Sequence, residues 1–249
     1  MIADIWTMVW KEWKELLLAH GTKRGGLMRI VIMLAIFGGM LPLQTGRAWV
    51  ESPVTLFYWG WVPLFLVVGV IADSFAGERE RHTLETLLAS RMPDRAILLG
   101  KVAAAVGYGW GLAMVSLLVG LVAINVAHGQ RQLLLYKPEV ALGGTALSLL
   151  ASLLAAGGGV LVSLRAATVR QAAQTMSIAM MVLFLLPTAV VGMLPRLLPA
   201  SFGEWLQAFL LRANWTAVLV GAGVVLAAID LGLLSAAMAR FRRARLILD

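Results

Sequence analysis

The chain consists of long apolar runs separated by short polar interruptions. The runs cover residues 27–43, 55–75, 96–126, 138–164, 171–194 and 213–239. They lack the period-two alternation that barrel strands require. Only helices and closed barrels satisfy their backbone hydrogen bonds within lipid, so these runs predict helices. Each approaches or exceeds the roughly 20 residues needed to cross a bilayer. The pattern predicts an all-α polytopic membrane protein with six transmembrane helices in one domain, residues 1–249.

The interruptions carry their own patterns. On a helix over residues 1–20, Ile2, Ile5, Trp6, Val9, Trp10, Trp13, Leu16 and Leu17 share one face. Asp4, Thr7, Lys11, Lys14 and Glu15 take the other, which predicts an amphipathic helix lying in the membrane surface with its Trp side chains at headgroup depth. These charges also interrupt the apolar core a signal peptide would need. Residues 195–212 are apolar but broken by Pro195, Pro199 and Gly203, and read as a shallow re-entrant outer segment. Tyr58, Trp59 and Trp61 at the outer end of the second run are expected in an aromatic belt.

Composition agrees with this reading. The 249 residues are 60% hydrophobic and 14% charged, against about 45–50% and about 25% in soluble domains. A soluble enzyme and a disordered chain are both excluded. The net charge of +8 is not a nucleic-acid signal, because its distribution explains it as topology. With the N-terminus inside, 16 of the 21 Lys and Arg residues fall in inner segments and 5 in outer ones. That bias places both termini in the cytoplasm of a multi-pass protein of the inner, cytoplasmic membrane. There is no cysteine, and His20, His82 and His128 have no metal-ligand spacing, so no metal site is expected. The third run would extend ~46 Å, longer than the ~30 Å hydrocarbon core. Its first turns, with Lys101, are therefore expected to project into the cytoplasm.

The densest charge lies between runs two and three. Residues 77–92 include Glu78, Arg79, Glu80, Arg81, His82, Thr83, Leu84, Glu85, Leu87 and Leu88. The i, i+3, i+4 spacing of the three leucines predicts a helix with His82 in its middle and Arg81 facing Glu85 one turn on, ended by Pro93. By residue type, it fits equally a docking surface or a solvated loop holding two spans in register.

The run Glu78-Arg79-Glu80-Arg81-x-Thr83-Leu84-Glu85-x-Leu87-Leu88, then Pro93 and Leu99-Gly100-Lys101, resembles the permeases of type-2 (ABC-2) ABC transporters. The resemblance implies that residues 77–92 are a cytoplasmic coupling helix contacting a separate ATP-binding subunit. It also implies that residues 1–20 are an elbow helix and that the outer helices before the last span are re-entrant. His82 departs from the family, where a small residue, often Gly, usually precedes Thr-Leu-Glu. The chain has no Gly-x-x-x-x-Gly-Lys-Ser/Thr loop, so the permease is expected not to be an enzyme itself. It is expected to bind no cofactor; ATP and Mg would sit in the partner ATPase. The expected partners are ABC ATP-binding subunits, a second permease copy or paralogue, and membrane lipid, with no nucleic acid. The implied function is the permease of an ATP-driven exporter.

Three ionisable residues are singled out within or beside the spans: Asp73, Lys101 and Asp230. Intramembrane acids mark pathways and proton relays, or else pair with a nearby base: Lys101 for Asp73, an inner-side Arg for Asp230. An ion-coupled secondary transporter using Asp230 is the first alternative function. A non-transport membrane enzyme is the second, though the spans hold no catalytic constellation. Gln174, Thr175, Ser177, Met180 and Met181, with Pro187 above, line the fifth run; the resemblance implies a place near the dimer interface and export path, while the residue types fit an adaptable face or ordinary packing equally. Gly107 with Gly111, and Ala35 with Gly39, have small-xxx-small spacing for helix packing. Gly157–Gly159 fits either a flexible joint or a close-packed patch.

Overall fold

A computed structural model describes residues 1–18, 28, 30–53, 55–129, 132–192, 201–205, 208 and 214–241. The described residues form helices and loops, with no strand among them. The helices are α1 (Ile2–Leu18), α2 (Ile30–Thr45), α3 (Ala48–Glu51), α4 (Thr55–Glu80), α5 (Leu84–Ala89), α6 (Asp94–His128), α7 (Pro138–Ser163), α8 (Val169–Gly192) and α9 (Trp215–Arg240). A short helical stretch lies at 201–205, and most of the expected re-entrant segment 195–212 falls outside the described residues. Among the described residues, α4, α6, α7 and α9 are long and apolar enough to cross a membrane. Helices α2 and α8 coincide with the first and fifth expected runs.

Helix boundaries follow local chemistry. Pro138 opens α7, where a missing N–H costs nothing. Asn214 caps α9 by accepting from the Ala217 amide at 3.3 Å. In α2, Leu34–Met40 is π-helical, just before Pro42, which has no N–H for the preceding turn.

Helix α4 is central and packs on α6, α7 and α8. Ile71, Ala72, Phe75 and Ala76 of α4 meet Ile97, Leu98 and Ala105 of α6 and Ala155 and Val160 of α7 in one buried core. Helix α9 is peripheral and rests on α7. Gly159 leaves no room for a side chain beside Ile71 and Met176, while Gly157 abuts Leu233 of α9. Gly157 and Gly159 thus form a close-packed patch within an unbroken helix, while Gly158 has open space beside it. The small-xxx-small pairs work differently from expectation. Gly107 lies under Trp13 and Gly38 against Val119, but Gly39 and Gly111 face nothing nearby.

The aromatic residues expected in the outer belt also depart from expectation. Trp59 and Trp61 are buried rather than lipid-facing. Helix α3 inserts Trp49 between Trp59 and the loop before α7, while Trp61 packs in the main core. Trp49 stacks on Tyr58 and meets Trp59 edge-on, each with centroids 5.6 Å apart. Its indole donates to Tyr136 Oη at 3.2 Å, and Tyr136 donates to the Leu117 carbonyl at 3.0 Å. Intramolecular partners therefore took these rings from the belt.

Candidate functional site: the inner junction of five helices

The expected single helix over 77–92 is two helices with a turn between them. Residues Glu78–Glu80 complete the last turn of α4. The Thr83 amide then bonds the Glu78 carbonyl at 2.8 Å, and the His82 amide bonds the Arg79 carbonyl at 3.1 Å. This pair of bonds forms a Schellman stop, in which one residue takes the left-handed conformation. That residue is His82, with φ 56°. The expectation that His82 would sit mid-helix is therefore corrected. It holds the position at which glycine is favoured, because a Cβ costs energy there.

The break turns the four charges before it toward four different neighbours. Glu78, 4% exposed, points to α1 and α6. Its Oε1 accepts from Lys11 Nζ at 2.7 Å and from Lys101 Nζ at 2.9 Å. Arg79 donates to the Ala166 and Leu164 carbonyls beyond the end of α7, the latter at 2.8 Å. Glu80 accepts from the Val169 amide at the start of α8, at 3.1 Å. Each charge has the sign the neighbouring helix end favours, positive at a C-terminus and negative at an N-terminus. Arg81 pairs with Asp73 at 2.9 Å, with both side chains partly exposed. The hydrogen bond that Arg81 donates to Asp73 is the main reason the Arg81 pKa is raised. The expected pairs of Arg81 with Glu85 and of Asp73 with Lys101 do not form, because the turn redirects Arg81 back along α4.

Lys101 is not open to solvent. It is 2% exposed, because α1 covers it. Its ammonium donates to Glu12 Oε1 at 2.7 Å, the Ser74 carbonyl at 2.7 Å and Glu78 Oε1 at 2.9 Å, and lies 5.4 Å from the centre of the Phe75 ring. Lys11 of the same surface helix reaches Glu78, Glu15 at 3.1 Å and Glu12 at 3.4 Å. Burial works to lower the Lys11 pKa, but the hydrogen bond to Glu78 and the surrounding carboxylates outweigh it, and the net shift is upward. Carboxylate oxygens of Glu12, Glu15 and Glu78 converge within 4.8 Å, with the Lys11 ammonium bonded to all three residues.

The sequence reading missed Lys11 and Glu12 as partners. The available signal was Lys101 itself, since a cation within an apolar run needs a buried counter-charge. The outward apolar face of α1 was legible in part: Ile2, Trp6, Trp10 and Trp13 are exposed, but Val9, expected on the same face, is buried with Met8 and Glu12.

Helix α5 hangs below this junction. Leu84 is buried and Leu87 packs on the core, whereas His82, Thr83, Glu85, Thr86 and Ala89 are exposed; the side chain of Leu88 lies outside the described residues. A groove of about 1030 Å³ opens between α1, α4, α5 and α8. Lys11, Glu15, Asp73, Arg81, Thr86 and Ala173 are among its walls.

A sequence profile of the family described as ABC-2 type transporter matches residues 3–212. The chain belongs to this family. No curated protein matches it. As an ABC-2 type protein it is a multi-pass membrane permease subunit of an ABC transporter. Such permeases are typically not enzymes themselves and work with partner ABC subunits.

The other candidates lie apart from the ABC-2 junction. On α8, Gln174, Thr175, Ser177 and Met181 are exposed, Met180 is partly buried, and the Pro187 side chain is outside the described residues. Asp230 on α9 is 3% exposed, and neither carboxylate oxygen has a hydrogen-bond partner among the described residues. The expected pairing with an inner-side Arg is absent among those residues.

Proposed function

We propose that this chain is the permease of an ATP-driven exporter, with six spans and both termini in the cytoplasm. It pairs with a second copy or paralogue, and each permease docks a separate ATP-binding subunit, which holds ATP and Mg, on the exposed face of α5. The observation that carries this reading is the division of the charged segment. Glu78–Arg81 are committed to the permease itself, while His82, Glu85, Thr86 and Ala89 face outward from a short helix joined directly to α4 and α6. A push on α5 therefore enters both helices at once. The exposed stripe of α8, close to the groove, suits the second permease and the export path. Co-purification with the cognate ATP-binding subunit tests the docking. Glu85→Arg combined with Ala89→Glu is expected to abolish association while leaving the permease folded. Unchanged association and ATPase rate would remove the role.

Asp230 favours a second reading, ion-coupled transport. An acid buried in a span without a partner is costly and is often functional. Transport driven by an ion gradient without ATP, and lost in Asp230→Asn, would select this reading over the first.

A further inference from the structure

We propose that Lys101 is a positioning residue that makes the surface helix α1 part of the moving lever. The inference rests on the reading that the ATP-driven push enters at α5.

Three observations carry it. First, the links between α1 and the α4–α6 pair are crossed. Helix α1 supplies a cation to Glu78, through Lys11 at 2.7 Å, and an anion to Lys101, through Glu12 at 2.7 Å. Sliding or tilting α1 lengthens both. Second, Lys101 uses three acceptors from two other helices, so its ammonium is fully satisfied in a dry place. A buried ion pair holds only with such geometry, and removing one partner strands the others. Without Lys101, the buried Glu12 and Glu78 lose the cation they share. Third, the remaining contacts of α1 continue along α6. Trp13 Nε1 donates to the Ala104 carbonyl at 3.2 Å, and Gly100 leaves space only for Met8.

Both ends of the α5 segment lead into this cluster, one through Glu78 on α4 and the other through Lys101 on α6. The outer face of α1 carries exposed Trp6, Trp10 and Trp13. Through the lock, movement of α4 and α6 is imposed on a helix seated in the lipid surface.

The test uses the permease with its cognate ATP-binding subunit in lipid nanodiscs. The cysteine-free sequence allows spin labels at Thr7→Cys on α1 and Arg95→Cys at the inner end of α6. Lys101→Met/Glu12→Gln removes one cation and one anion together, leaving Lys11 with Glu78. In the wild-type background one narrow Thr7–Arg95 distance is expected, the same with and without trapped nucleotide. In the double variant the distribution broadens, ATP-binding subunits still co-purify, and the permease-dependent change in ATPase rate falls about tenfold. Lys101→Arg is expected to restore much of both. An unchanged narrow distance with unchanged coupling in the double variant would overturn the proposal. Failure of the wild-type permease to bind the ATPase would overturn the docking reading instead, and the distance in the permease alone would then decide the lock.

Discussion

His82 shows how one residue can disguise a helix stop. Its left-handed backbone costs about 1 kcal/mol that glycine would not incur. His82→Gly is therefore expected to raise stability by about that amount, read as a higher unfolding midpoint in detergent. A lower midpoint would mean that the imidazole makes a contact outweighing the strain. Tyr136 is a second single-residue test. Burial, only partly opposed by the hydrogen bond from Trp49, pushes its phenol from 10.0 up to about 12. A group with a raised folded pKa gives stability that is complete below its unfolded value and lost as pH rises through the folded one. The outer aromatic cluster should hold to about pH 10 and loosen toward pH 12. Ultraviolet titration against Tyr136→Phe would show the late-ionising phenol. Asp230→Leu removes a buried carboxylate that has no hydrogen-bond partner among the described residues, and is expected to stabilise by about 1–3 kcal/mol.

At the scale of elements, the apolar runs were readable because lipid leaves the backbone few options. The second run ends in a charged turn of the same helix, which extends α4 to Glu80. Periodicity cannot report that end, since Glu78–Arg81 continue a good helical pattern. The stop lies in backbone dihedrals, and only the family's preference for a small residue at this position hinted at it. The lysine lock was illegible for a different reason. Glu12 lies 89 positions from Lys101 in sequence, and helix α1 seemed to turn its charges to water. Residue type gave the Gly157–Gly159 patch two readings, and packing distinguishes them. Gly158→Ala is expected to be neutral or slightly stabilising, because nothing lies near its added methyl. Gly159→Ala should cost about 1–3 kcal/mol, because the methyl would strike Ile71 and Met176. Thermal unfolding of the two variants measures the contrast, and equal midpoints would contradict close packing there.

For the whole molecule, the distribution of Lys and Arg gives an expected orientation with both termini inside. Helix α5 and the buried lock lie at one end, and the Trp49–Tyr136 cluster lies at the other. The described residues put the charges paired within the permease before the His82 turn and the exposed Glu85 after it. That division is the core of the functional account: the segment before the turn joins five helices, and the segment after it is the surface proposed to meet the ATP-binding subunit. The most direct measurement is co-purification and ATPase coupling of two variants compared side by side. Glu85→Arg/Ala89→Glu is expected to lose the ATP-binding subunit while keeping wild-type thermal stability. Glu80→Gln, which weakens the cap on α8, is expected to keep the subunit while unfolding at a lower temperature. The reverse pattern, with docking lost in Glu80→Gln and retained in Glu85→Arg/Ala89→Glu, would contradict the account.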